Sequence, residues 1–254
     1  MDAQGKERLA AEWDEVAPHR EELIASGRDL SYHHILLPSL TDLIGDTLKD
    51  GQRVLDAGCG TGTFLAHLAA THPRIDFLGI DPSVTSVEIA KEHRAPLPNV
   101  QFRTLAVEEL LADSSASQRF DVIIANMLLQ NVASFDDVVA ACAKLLTSRG
   151  IFVFAVPHPC FWSRYWRYDK ERWFRYDREV WIEAPFQTSL SRDSELTTTH
   201  VHRPISAYIN GLVRAGLDIG ELCEPMPDAG LEGVYPVAWE FPRFLLGRCR
   251  LATA

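Results

Sequence analysis

The chain has 254 residues, 46% of them hydrophobic and 24% charged, the composition of a folded globular protein rather than a disordered one. Acidic residues outnumber basic ones 35 to 25, and a formal charge of −10 disfavours DNA or RNA, partners bound by neutralising phosphates. Five scattered cysteines with no C-x-x-C pair exclude a disulfide framework and a cysteine-rich zinc site and fit a reducing, cytoplasmic setting.

Residues 1–50 read as helical and fairly polar with no apolar signal region, and no run of about 18 apolar residues predicts a membrane span. From residue 53 the texture changes. Short apolar runs recur at 54–57, 77–80, 100–103, 122–125 and 151–156, separated by stretches with helical spacing such as Val138, Val139, Cys142 and Leu145. Apolar strands alternating with helices of about 10–15 residues predict βαβ units and a doubly wound parallel sheet covered on both faces. Residues 157–200 break that rhythm and hold nine aromatics within 161–181, interleaved with six basic residues. Pro204 suits a helix N1 position, Gly216 a helix stop, and 217–222 and 244–251 read as two final strands.

The most informative stretch is Val54-Leu-Asp56-Ala-Gly58-Cys-Gly60-Thr-Gly62-Thr-Phe-Leu. A buried strand runs into a glycine-rich turn that opens a helix, where glycines admit positive φ and close approach of a ligand. The next strand ends in Asp81, where a carboxylate can accept hydrogen bonds from both ribose hydroxyls of an adenosine-containing cofactor. The spacing is G-x-G-x-G rather than the dinucleotide G-x-G-x-x-G, and Asp56 would repel a pyrophosphate. A zwitterionic amino-acid tail can instead set its ammonium against such a carboxylate, which points to S-adenosylmethionine.

VLDAGCGTG followed by GIDPS resembles the class I S-adenosylmethionine-dependent methyltransferases over about residues 30–156. FDVIIANMLLQNV and LLTSRGIFVFAVPHP are similar to that family's fourth and fifth strands, and 202–217 resembles the subset acting on small molecules. The resemblance implies one Rossmann-like α/β domain over 1–254: a seven-stranded, mostly parallel sheet with an antiparallel last strand. It divides into an N-terminal helical cap (1–50), a cofactor-binding core (51–156), an inserted lid (157–200) and a C-terminal helix with the final strands (201–254). It further implies that Asp56, Gly58 and Gly60 surround the methionyl tail, that Asp81 binds the ribose and that Pro82 packs beside the adenine. Ala106 stands where the family has an Asp for the adenine amino group, so Glu108 or the Val107 N–H is left for that contact. Asn126 would face the methionyl ammonium and Tyr32 the carboxylate.

Methyl transfer is an in-line displacement in which the protein aligns the acceptor and, for an oxygen nucleophile, removes a proton. His158, directly after the fifth strand, and His202 are the candidate bases. The aromatic lid is expected to line the acceptor pocket, with Gln130, Trp162, Tyr165 and Arg203 touching the acceptor. No metal is expected, because neutral Asn126, Gln130 and Asn131 make a poor hard-cation site. Cys160 reads as structural. The sequence thus points to methylation of an oxygen or nitrogen on a small organic acceptor, such as a specialised metabolite, with a homodimer compatible. The alternatives are an RNA or protein methyltransferase, or a cofactor-binding protein of this fold that transfers no methyl.

Overall fold

The computed structural model describes residues 3–94, 97–113, 119–192 and 194–253. Its main sheet has the strand order β3-β2-β1-β4-β5-β9-β8. In chain order the strands are β1 (Arg53–Ala57), β2 (Asp76–Asp81), β3 (Val100–Thr104), β4 (Phe120–Asn126), β5 (Leu146–Pro157), β8 (Leu217–Cys223) and β9 (Phe244–Leu251). β9, the last in sequence, runs antiparallel to both neighbours, and the other pairings are parallel.

Buried parallel strands need apolar residues on both faces, and the two cores follow from that alternation. Val54, Phe77, Val122, Ile124 and Val153 face one core with α2 (Leu37–Ile44), α3 (Thr63–Thr71) and α4 (Val84–Arg94). Leu55, Leu78, Ile123, Phe152 and Phe154 face the other with α5 (Val107–Ala112), α6 (Phe135–Leu145) and α8 (Ile205–Arg214). Connections from β1 run outward to β2 and β3, while β4 lies on the opposite side of β1. The order therefore reverses at β1/β4, and a crevice opens beyond the carboxyl ends of those strands.

Two additions flank this core. The long helix α1 (Ala3–Ala25) leads through a π-helical turn, Tyr32–Leu36, into α2. The segment that breaks the strand–helix rhythm holds the one-turn helix α7 (Trp162–Tyr165) and most of a separate antiparallel hairpin of β6 (Val180–Pro185) and β7 (Thr197–His202). Pro204 is the N-cap of α8 rather than its first helical residue, and Gly216 follows its end at φ +78°. No described helix is long and apolar enough to cross a membrane.

Candidate functional site

The glycine turn after β1 places Gly58, Gly60 and Gly62 in the left-handed region, at φ +73°, +52° and +74°. Two of them are also required by packing. A Cβ on Gly58 would lie 2.7 Å from Leu128 Cδ1, and one on Gly62 would lie 2.6 Å from the Phe102 ring. A Cβ on Gly60 would meet nothing within 4 Å, and Gly60 lines a cavity at the crevice.

Asp81, at the end of β2, is fixed beside that backbone. Its Oδ2 accepts the Gly60 N–H at 2.9 Å, and its Oδ1 accepts the Ser83 N–H at 2.9 Å. Burial nevertheless raises its pKa to about 6. Asp56 on β1 is 2% exposed, and burial, joined by the charge of Asp81, raises its pKa to about 8.

Three buried oxygens in the cavity wall have no hydrogen-bond partner among the described residues: Asp56 Oδ1, Asn126 Oδ1 and the Tyr32 hydroxyl. Such atoms cost roughly 1–3 kcal/mol each when left unpaired, so three in one cavity mark a place that a polar ligand completes. Arg20 of α1 joins them, with its guanidinium 5.8 Å from the Tyr32 ring centre. Burial lowers its pKa to about 10, which leaves it cationic at neutral pH. Asp29 orients both groups by pairing with Arg20 and accepting the Tyr32 N–H at 2.9 Å. A carboxyl and an amide oxygen thus stand near a guanidinium and a phenol, the complement of a zwitterionic amino acid.

Helix α1 forms the outer wall. Leu9, Ala10, Trp13 and Ala17 turn their apolar faces to the cavity. Polar side chains of the same helix fasten it to three successive βα loops. Glu21 accepts the Thr61 hydroxyl at 2.5 Å and Arg94 Nη2 at 2.8 Å. Asp14 Oδ1 accepts the Ser83 hydroxyl at 2.7 Å and the Thr85 N–H at 2.9 Å. Lys6 pairs with Glu108.

All nine residues expected at the cofactor line this cavity: Tyr32, Asp56, Gly58, Gly60, Asp81, Pro82, Val107, Glu108 and Asn126. The acceptor and base candidates lie elsewhere. His158 is 1% exposed; its Nδ1 accepts the Cys160 N–H at 3.1 Å, and its Nε2–H faces Glu224 Oε1 at 2.6 Å. His202 Nε2 is 3.1 Å from the Tyr176 carbonyl, and burial lowers the pKa of the ring. Arg203 donates to Glu179, Leu129 O and Val132 O, each at 2.9 Å, so it staples the cavity wall from behind. Gln130 Nε2 donates to Met127 O at 2.6 Å.

The lid aromatics named for the acceptor do not line this cavity. Trp162 and Tyr165 pack over Phe244 and against Arg243, whose guanidinium is 3.8 Å from the Tyr165 ring centre, instead of lining the cavity. These rings bury one another because aromatic area is released from water as well by packing as by a ligand. The residues missed from sequence are Arg20 and Lys6. They lie on a polar helix in which no periodicity separates an inward charge from a solvated one.

A family model described as a methyltransferase domain matches residues 48–196. The chain belongs to that methyltransferase family. Among curated proteins it is similar to a malonyl-[acyl-carrier protein] O-methyltransferase of Halalkalibacterium halodurans, 27% identical over 126 residues, covering 50% of this chain and 46% of that protein. It is also similar to a ubiquinone biosynthesis O-methyltransferase of Paracidovorax citrulli, 36% identical over 107 residues, covering 41% of this chain and 43% of that one. The chain therefore spans just under half the length of these curated relatives. A solved S-adenosylmethionine-dependent methyltransferase from Listeria monocytogenes superposes with a TM-score of 0.67 at 27% identity, covering 86% of this chain and 97% of that one.

Proposed function

We propose that this chain transfers the methyl group of S-adenosylmethionine to an oxygen or nitrogen of a small organic acceptor. The observation that carries the reading is the set of buried, unpartnered oxygens at Asp56, Asn126 and Tyr32, with Arg20 beside them and Asp81 and Gly60 also lining the cavity. These residues fit the cofactor. Asp56 and Asn126 would take the methionyl ammonium, Arg20 and Tyr32 the carboxylate, and Asp81 the ribose hydroxyls. When bound, the cofactor supplies an electrophilic methyl group on a sulfonium sulfur.

The protein's own contribution is alignment and exclusion of water. Met127, directly after Asn126, is held at φ +56° while its carbonyl accepts Gln130 Nε2 and Asn131 Nδ2. A non-glycine residue kept in that region at a cavity wall is pre-organised backbone. The apolar face of α1 shields the opposite wall, which strengthens every charge–charge contact inside. Because both ring nitrogens of His158 are engaged and His202 packs under the lid, we assign them to the scaffold. The acceptor then reacts as an amine or an already ionised oxygen, and alignment provides the rate. The names of the two curated relatives, both O-methyltransferases, favour oxygen.

Calorimetric titration with S-adenosylhomocysteine, with NAD as control, tests the cofactor. Saturable binding of the former alone is expected, and binding of NAD alone would overturn the reading. Incubation with S-adenosylmethionine and a panel of phenols, carboxylic acids and amines should then yield a product about 14 Da heavier, the mass of one transferred methyl less the displaced proton.

A further inference from the structure

We propose that Arg243 and Trp239, beside the end of the cavity assigned to the methionyl tail, hold a carboxylate carried by the methyl acceptor. This rests on the reading that the chain methylates a small acceptor, and it narrows that acceptor to an acid.

Arg243 directly precedes β9 and is 2% exposed. Its guanidinium lies 3.8 Å from the Tyr165 ring centre, 4.2 Å from that of Trp239 and 5.8 Å from that of Tyr235. Only Nη2 is hydrogen-bonded, donating to the Val237 carbonyl at 2.9 Å and the Ala238 carbonyl at 3.3 Å. The N–H groups of Nε and Nη1 are left without partners among the described residues. Arg203, the arginine expected at the acceptor, is buried to the same degree but has Glu179 at 2.9 Å. Arg243 has no described carboxylate within ion-pairing distance, and the charge that bears on it is another cation. Burial lowers its pKa, and the positive Arg192 pushes the same way. Arg192 itself donates to the Tyr165 hydroxyl at 3.4 Å, so two guanidiniums share one tyrosine.

Ring faces return part of the cost of burying such a charge, and a bonded anion returns more. Beside the guanidinium, the Trp239 Nε1–H is buried and has no acceptor. Two adjacent side chains therefore offer unused donors around one uncompensated positive charge. One buried cation is balanced by a monoanion, which favours a carboxylate over a phosphate dianion. The cluster is also placed for an acceptor. The Tyr235 hydroxyl donates to the Leu30 carbonyl at 3.2 Å, two residues before Tyr32. Trp239, Trp162, Phe244 and Met127 pack in the same core as Tyr32, and both Tyr32 and Met127 line the cavity.

Matched pairs of acid and amide separate such a site from a cluster that merely packs around an arginine. The chain loaded with S-adenosylhomocysteine is titrated with benzoate and phenylacetate, each against its carboxamide, and binding is read by calorimetry. Each acid should bind at least tenfold more tightly than its amide. Arg243→Gln should bring acid and amide within about twofold of each other, and Arg243→Lys should keep part of the preference. Trp239→Phe keeps the ring and deletes the N–H, so it should cut the preference severalfold; it serves even if the Arg243 variants fail to fold. Affinity for S-adenosylhomocysteine should stay within about threefold throughout. Acids that bind no better than their amides to the intact chain, or not at all, overturn the proposal. So does a preference left unchanged in Trp239→Phe and in any folded Arg243→Gln. If the intact chain does not bind S-adenosylhomocysteine, the cofactor reading falls, and the same comparison on the unloaded chain still decides the carboxylate site.

Discussion

The cavity end of the sheet and the aromatic lid both bury polar side chains, but they treat them differently. At the ends of β1 and β4, Asp56 and Asn126 keep oxygens buried without partners. Under the lid, His158, His202 and Arg203 are each 7% exposed or less, and each spends its donors on neighbouring protein atoms. Unpartnered oxygens gathered in one cavity mark where a polar ligand can complete them, whereas these three lid-side residues are already bonded. Gln130 Oε1, Arg94 Nε and Trp239 Nε1 are also buried without partners among the described residues, but none of these residues lines that cavity. Richness in chemistry-bearing residues is therefore a poor guide to a site. Whether their hydrogen bonds are already made is the better one.

The largest effect expected from breaking this contrast is on the cavity side. Asp81→Ala removes the carboxylate proposed above to hold two ribose hydroxyls, at roughly 1.5–3 kcal/mol per charge-assisted bond. Affinity for S-adenosylhomocysteine should fall by about 100-fold or more, read by calorimetry. Affinity within threefold of the intact chain would remove Asp81 from the site.

On the lid side the same kind of substitution should strike stability instead. Arg203→Gln leaves the Leu129 and Val132 carbonyls and Glu179 without their guanidinium, a loss of about 3 kcal/mol in unfolding free energy. A urea transition with a lower midpoint and unchanged slope would report it. His158→Ala should be milder, about 1–2 kcal/mol, since Glu224 is 54% exposed and water can replace its partner. Turnover at saturating substrates should stay within about twofold of the intact chain, allowing for ordinary packing relaxation. A hundredfold fall in turnover with stability unchanged would restore His158 as a base.

The contrast also explains what could be read from sequence. That the glycine turn and Asp81 come together at one cavity is legible because they follow in fixed order along one strand–turn–helix–strand run, so spacing carries the information. The strands of the sheet were legible through their uninterrupted apolar runs, including β9, whose direction the family resemblance supplied. The lid was not, because whether Trp162 or Arg203 meets a ligand or another side chain depends on packing between segments far apart in the chain. Arg203 finds Leu129 and Val132 more than 70 positions away. Arg20 escaped for the same reason. Its role depends on how α1 is laid across the sheet, fixed by Glu21, Asp14 and Lys6 through loops far downstream.

The smallest effect sharpens the comparison through its sign. Asp56 and Asp81 have pKa values of about 8 and 6 in the folded chain, above the unfolded value of about 3.9. The folded state therefore binds more protons than the unfolded one from about pH 4 to 8, and the cavity acids lose stability as pH rises through that window. The lid histidines do the reverse. Burial lowers His200 to about 4 and moves His202 down as well, so their contribution is lost as pH falls below about 6.5. Above pH 6.5 the lid term is complete, and of these four groups only Asp56 and the tail of Asp81 still titrate. The decline in unfolding free energy from pH 6.5 to 8 should then flatten in Asp56→Asn. An ammonium placed beside Asp56 favours its ionised form, so S-adenosylhomocysteine should bind severalfold more tightly at pH 7.5 than at 6.5, bounded by tenfold per proton released. Titration in two buffers of different ionisation heat would detect that proton. Equal affinity at both pH values with no proton release would mean that Asp56 is already ionised in the empty cavity.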